Sequence, residues 1–71
     1  MKRIKQLRLK CGYTQMQMKE KTGIDQSDYS KIELGIRSIT VKQAIAIAQV
    51  FDTSVDYIIG LTDERKPYPR K

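Results

Sequence analysis

Four glycines, Gly12, Gly23, Gly35 and Gly60, each close a stretch with helical spacing, so no helix in this chain can be long. That punctuation restricts the fold more than any other feature, because a chain divided this way must bury its apolar side chains through several short helices packed on one another. Matching start signals stand opposite the stops. Thr14 with Gln17 and Thr40 with Gln43 have the spacing of capping boxes, in which the threonine oxygen accepts from an orphan amide and the glutamine reaches back to the cap. Asp25 and Ser54 are strong N-cap types. Asp28 and Asp56 follow them in the first turn, where negative charge favours the positive end of the helix dipole.

Five helices follow. Ile4, Leu7 and Cys11 predict an amphipathic first helix over residues 2–11, with Leu9 off its stripe and Cys11 packing at its end. The second runs from its Thr14 cap to Thr22, with Met16 and Met18 filling core space. The third spans residues 25–34. A fourth, core helix follows Thr40 and carries Val41, Ala44, Ile45, Ala48 and Phe51, and a last short one runs from Ser54 through Ile59. The Pro67-Tyr68-Pro69 stretch cannot continue a helix. The expected organisation is an all-α domain over residues 1–61 and an extended, mobile basic tail over residues 62–71.

Composition narrows function. Seventy-one residues supply one core, and with no histidine and one cysteine the chain has no Ser-His-Asp relay, no Cys-His pair and no His or Cys metal cage. No catalytic residue, metal or cofactor is expected, and the chain is read as not an enzyme. The lone cysteine suits a reducing compartment, and the start MKRIKQLRLK lacks the apolar run of a signal peptide or membrane span, so a cytoplasmic location is expected. The net charge of +6 favours polyanions such as nucleic acid. It is concentrated at the ends: residues 11–64 hold five bases and eight acids, a net of −3.

The spacing that carries function lies in the middle. Two short helices joined by a turn of about three to four residues containing glycine form a helix-turn-helix, whose second helix can enter a DNA major groove. Here the turn is Gly23-Ile24-Asp25. At about 100° per residue, Gln26, Ser27, Ser30, Lys31 and Leu34 share one face of the third helix, and Tyr29, Ile32 and Ile36 share the opposite one. Glutamine pairs with adenine, lysine with the guanine acceptors and serine with several partners, so the polar face is made of base-reading residue types.

Residues 3–60 resemble the Cro/repressor (XRE-like) class of helix-turn-helix domains found in phage repressors and small bacterial regulators. The resemblance rests on Leu7-Arg8 and Gly12, on Thr14-Gln15, Gly23, Ser27, Ser30 and Ile32-Glu33, and on Gly35, Arg37 and Ser54-Val55-Asp56. It implies a lambda-repressor-like fold and a sequence-specific transcriptional regulator, a repressor, bound as a homodimer to a palindromic operator on double-stranded DNA. By the same resemblance Gln26, Ser27 and Lys31 face bases, and Gln15 contacts a phosphate. Thr14, Ser30, Arg37 and Ser38 lie near the phosphate backbone, where contacts set register rather than sequence.

Arg8 and Glu33 match a pair that ties the first helix to the end of the recognition helix, the alternative for Arg8 being the DNA face. Lys19 and Thr22 replace a small and an apolar residue and imply looser packing. Asp25 and Asp28 are read as helix caps, with acceptance from a cytosine amino group as the alternative for Asp28. Tyr57, Ile58, Ile59 and Leu61 exceed what one core needs and are read as a dimer interface. Leu34, Ile36 and Ile39 form an apolar cluster beside the DNA face, and the competing function is a protein-interaction module, anti-repressor or antitoxin-like, acting through them.

Overall fold

The computed structural model describes residues 2–66, so the Pro67-Tyr68-Pro69 stretch lies outside the described residues. Five helices follow in order: α1 (Lys2–Cys11), α2 (Gln15–Thr22), α3 (Gln26–Leu34), α4 (Val41–Val50) and α5 (Val55–Ile58). No strand occurs among the described residues.

Local chemistry sets the boundaries. At both threonine starts the capping box is complete: the cap hydroxyl accepts from the backbone of Gln17 or Gln43, and that glutamine side chain accepts from the cap backbone. Ser54 Oγ accepts from the Tyr57 amide and Asp25 from the Ser27 amide. Gly23 and Gly35 end α2 and α3 with φ of 76° each, the left-handed conformation that costs a residue with a Cβ. A Cβ on Gly23 would meet nothing within 4 Å, so the requirement there is conformational rather than steric. Gly23→Ala is therefore expected to cost about 1 kcal/mol, strain partly offset by a stiffer unfolded chain, read as a lower urea midpoint with an unchanged slope.

Every helix contributes to one core. Ile4 and Leu7 of α1, Met18 of α2, Tyr29 and Ile32 of α3, Ile47 and Ala48 of α4 and Ile58 of α5 are buried together with Ile24 and Phe51. Tyr13 and Phe51 stack with ring centroids 6.5 Å apart. Within this core α3 packs on α1 and α2, and α4 packs on α2 and α5. The α2–α3 pair is thus supported from behind by the rest of the domain.

Several expected core positions prove exposed. Cys11 stands at a helix end in solvent, Met16 points away while Met18 one half-turn on is buried, and Ile36 lies past the Gly35 turn, where the helical wheel no longer applies. Val41 and Ile45 are exposed and Ile47 is buried in their stead. On the helical wheel of VKQAIAIAQV the side opposite Lys42, Gln43 and Gln49 is centred on Ala44, Ile47 and Ala48, the buried residues, and Val41 and Ile45 lie at its edge, where packing against α2 and α5 leaves them exposed.

The start of α1 and the segment after α5 are tied together. Arg3 donates to the carbonyls of Tyr57 (2.9 Å) and Thr62 (2.8 Å) and to Asp63 (3.1 Å), and its guanidinium lies 4.3 Å from the Tyr57 ring centroid. Thr53 Oγ1 donates to the Arg65 carbonyl at 2.6 Å, so Thr62, Asp63 and Arg65, at the start of the expected tail, all bond to the body.

Candidate nucleic-acid interface

The α2–turn–α3 unit is fixed by short-range hydrogen bonds. Thr22 Oγ1 donates to the Met18 carbonyl (2.6 Å) and accepts from the Ile24 amide (3.1 Å), and the Gly23 amide donates to the Lys19 carbonyl (2.8 Å). Thr22, expected to leave the packing loose, is instead the hydroxyl that organises the turn. Ile24 then plugs the core, and Asp25 caps α3. With Tyr29 and Ile32 buried, Ser27 and Lys31 stand exposed and Gln26 and Ser30 half-buried on the outer side of the helix.

Behind that face Arg8 and Glu33 form a fork-to-fork pair, Nε to Oε2 at 2.6 Å and Nη2 to Oε1 at 3.2 Å, with side chains 10% and 3% exposed. Arg8 Nη1 also donates to the Tyr13 carbonyl at 2.9 Å, which leaves the guanidinium committed to the interior and excludes it from a DNA-facing role. Gln15 Nε2 donates to the second Glu33 oxygen at 3.3 Å, so α1, α2 and α3 meet on one carboxylate. Burial by itself would raise the Glu33 carboxyl, but the hydrogen bonds from Arg8 and Gln15 and the Arg8 charge outweigh it and hold it below the usual carboxylate value. The same pairing raises Arg8 against the desolvation that opposes it, and burial followed by the neighbouring Glu33 pushes the Tyr29 phenol far above its ordinary range.

The rim of the face holds a second pair. Arg37 Nη1 donates to Asp28 Oδ1 at 3.0 Å, with side chains 53% and 33% exposed. Asp28 therefore does not cap α3; Asp25 has that amide, and Asp28 bonds across the Gly35 turn instead. Nothing in residue spacing signals this contact. Thr14 and Ser38 are exposed, so Thr14, Gln15, Ser27, Ser30, Lys31 and Ser38 all reach at least partly to solvent. A cleft of about 310 Å³ opens beside the turn, lined by Gly23, Asp25, Asp28, Lys42, Gln43 and Ala46 among others.

Two apolar expectations change. Leu34 and Ile36 are 68% and 72% exposed, whereas Ile39 is half-buried and packs on the core, which reduces the expected cluster to two residues. Ile58 is 1% exposed and belongs to the core, because α5 has no other fully buried side chain to dock with. Tyr57 lies under Arg3, leaving Ile59 and Leu61 as the exposed part of the expected dimer surface. Among the described residues no group of three or more His, Cys, Asp or Glu side chains could hold a metal, and no helix is long and apolar enough to cross a membrane.

A short helix pair with a glycine turn, backed by three more helices and presenting a polar outer face, defines a helix-turn-helix domain. A family model described as helix-turn-helix matches residues 4–58, and the chain belongs to the XRE-like helix-turn-helix family of transcriptional regulators. Among curated proteins of Bacillus subtilis (strain 168), it is 38% identical over 65 residues to the uncharacterized HTH-type transcriptional regulator YobD, covering 92% of this chain and 58% of that protein. It is 31% identical over 65 residues to the HTH-type transcriptional regulator ImmR, covering 92% of this chain and 51% of that protein. The uncharacterized HTH-type transcriptional regulator YqaE is 35% identical over 63 residues, 87% of this chain and 54% of its own length. The chain thus spans a little over half the length of these relatives. No solved structure matches it significantly.

Proposed function

We propose that this chain is a sequence-specific DNA-binding unit that inserts α3 into the major groove and represses by occupying its operator. The observation that carries this is the outer face of α3: four polar side chains of base-reading type, Gln26, Ser27, Ser30 and Lys31, on a helix whose opposite face is locked into the core. Gln26, Ser27 and Lys31 read base edges, and Thr14, Gln15, Ser30, Arg37 and Ser38 contact the phosphate backbone. Two copies, meeting through Ile59 and Leu61, bind a palindromic operator with half-sites about one helical turn apart.

Selection from a randomised duplex pool tests it. Gln26→Ala or Lys31→Ala relaxes the preference at one base position by about 1–3 kcal/mol, and Ser38→Ala weakens all sequences alike. Uniform weakening by all three variants would show that α3 does not read bases.

A second reading rests on the exposure of Leu34 and Ile36, which a protein-interaction module would cover. Ionic strength separates the two. Binding through phosphates falls steeply as salt rises because counterions are released, and binding through those two side chains hardly changes.

A further inference from the structure

We propose that Asp28 is a specificity-determining residue that holds Arg37 back from the DNA backbone until a base edge takes its place; this rests on the DNA-binding reading above. Three observations carry it. Asp28 and Arg37 are paired at 3.0 Å, so the guanidinium expected to grip phosphate already has an anionic partner. Asp28 is not needed at the helix start, since Asp25 accepts from the Ser27 amide. Asp28 also sits in the first turn of α3, the end of a recognition helix that meets base edges, and flanks Lys31 on the helical wheel.

The chemistry then divides DNA sequences into two kinds. Where Arg37 moves to a phosphate, the Asp28 carboxylate remains on its helix, half-buried and without its counter-charge, next to a polyanion. An ionised carboxylate only accepts hydrogen bonds. In the major groove cytosine offers an amino donor, while adenine sets its amino group beside the N7 acceptor, which a carboxylate repels. Cytosine in reach of Asp28 therefore replaces Arg37 as its partner and frees the guanidinium for the backbone. On any other base Arg37 stays with Asp28, and the phosphate contact is lost. Asp28 thereby converts a sequence-independent contact into one that depends on sequence.

The test uses the wild-type chain, Asp28→Asn, Asp28→Ala, Arg37→Ala and Asp28→Asn with Arg37→Ala, in randomised-duplex selection and in fluorescence anisotropy at several salt concentrations. Wild type should select cytosine at one position of each half-site, and both Asp28 variants should lose that preference while keeping the others. On a mixed-sequence duplex Asp28→Asn should bind about two- to fivefold more tightly, the worth of an exposed ion pair. Its salt slope should steepen by about 0.9 per protomer, one extra counterion released. Both gains should vanish in the double variant. Persistence of the cytosine preference without Asp28, or of the affinity gain without Arg37, overturns the proposal and leaves the DNA-binding reading intact. Failure of wild type to enrich any sequence overturns both.

Discussion

Glu33→Gln is expected to lower the stability of the domain by about 3–5 kcal/mol, because it removes one partner of a buried ion pair and leaves the Arg8 guanidinium uncompensated. The magnitude follows from burial: the carboxylate is 3% exposed and the arginine 10%, so neither can be rehydrated without opening the contact between α1 and α3. A chain of 71 residues is expected to hold only about 4–10 kcal/mol in total, so the variant loses a large part of it. Thermal unfolding followed by circular dichroism should show a fall of about 4–8 °C for each kcal/mol lost. Arg37→Ala provides the contrast, since its pair with Asp28 is exposed and its removal should cost at most about 1 kcal/mol. A Glu33→Gln protein within 1 kcal/mol of wild type would mean that α3 is held by its apolar face alone.

The same pair sets how stability varies with pH. The folded-state Glu33 carboxyl lies below its unfolded value, so its contribution is complete above the unfolded value of about 4.3 and is lost as pH falls through the lowered folded one. Tyr29 acts at the other end: its phenol is raised in the fold, so its contribution is complete below about pH 10 and is lost as pH climbs above that value. Urea midpoints across pH should therefore decline at both ends, and Glu33→Gln should flatten the acid limb and, because the Glu33 charge helps to raise the Tyr29 phenol, make the alkaline one shallower as well.

The helix boundaries were legible because they depend on neighbours in sequence. A capping box spans three residues, and a glycine stop depends on its own φ, so Thr14, Thr40, Gly23 and Gly35 announce the elements they bound. The outer face of α3 was legible for the same reason, since period alone separates Ser27 and Lys31 from Tyr29 and Ile32. What could not be read depends on geometry between elements. The partner of Arg37 is set by how the left-handed Gly35 sends the chain back past Asp28, nine residues earlier. Arg3, legible only as one of several terminal bases, becomes a strap because α5 ends beside it. Along α4 the apolar side centres on Ala44, Ile47 and Ala48, yet Val41 and Ile45 widen it, and only packing decides that those two stay exposed.

Two methionines separate pattern from packing in a way that can be measured. Met16 and Met18 both lie on α2 and carry identical side chains, yet Met18 is fully buried and Met16 is 49% exposed. Met18 is also the single buried residue of its helix, so it is the anchor through which α2 is held against the core and the turn into α3 is aimed. Its carbonyl accepts from Thr22, which joins the anchor to the turn itself. Met18→Ala is expected to cost about 2–5 kcal/mol, the range for deleting a long apolar side chain from a core, and Met16→Ala to stay within about 0.5 kcal/mol. Hydrogen exchange of the amides from Gly23 to Tyr29, compared at equal distance from the global unfolding midpoint, adds a reading beyond stability. If Met18 aims the turn, those amides exchange faster in Met18→Ala than the loss of global stability requires, and sequence preference in the randomised selection broadens. Were protection to fall evenly over all five helices, Met18 would support the core without orienting α3, and the pose of α3 would rest on Tyr29, Ile32 and the Arg8–Glu33 pair.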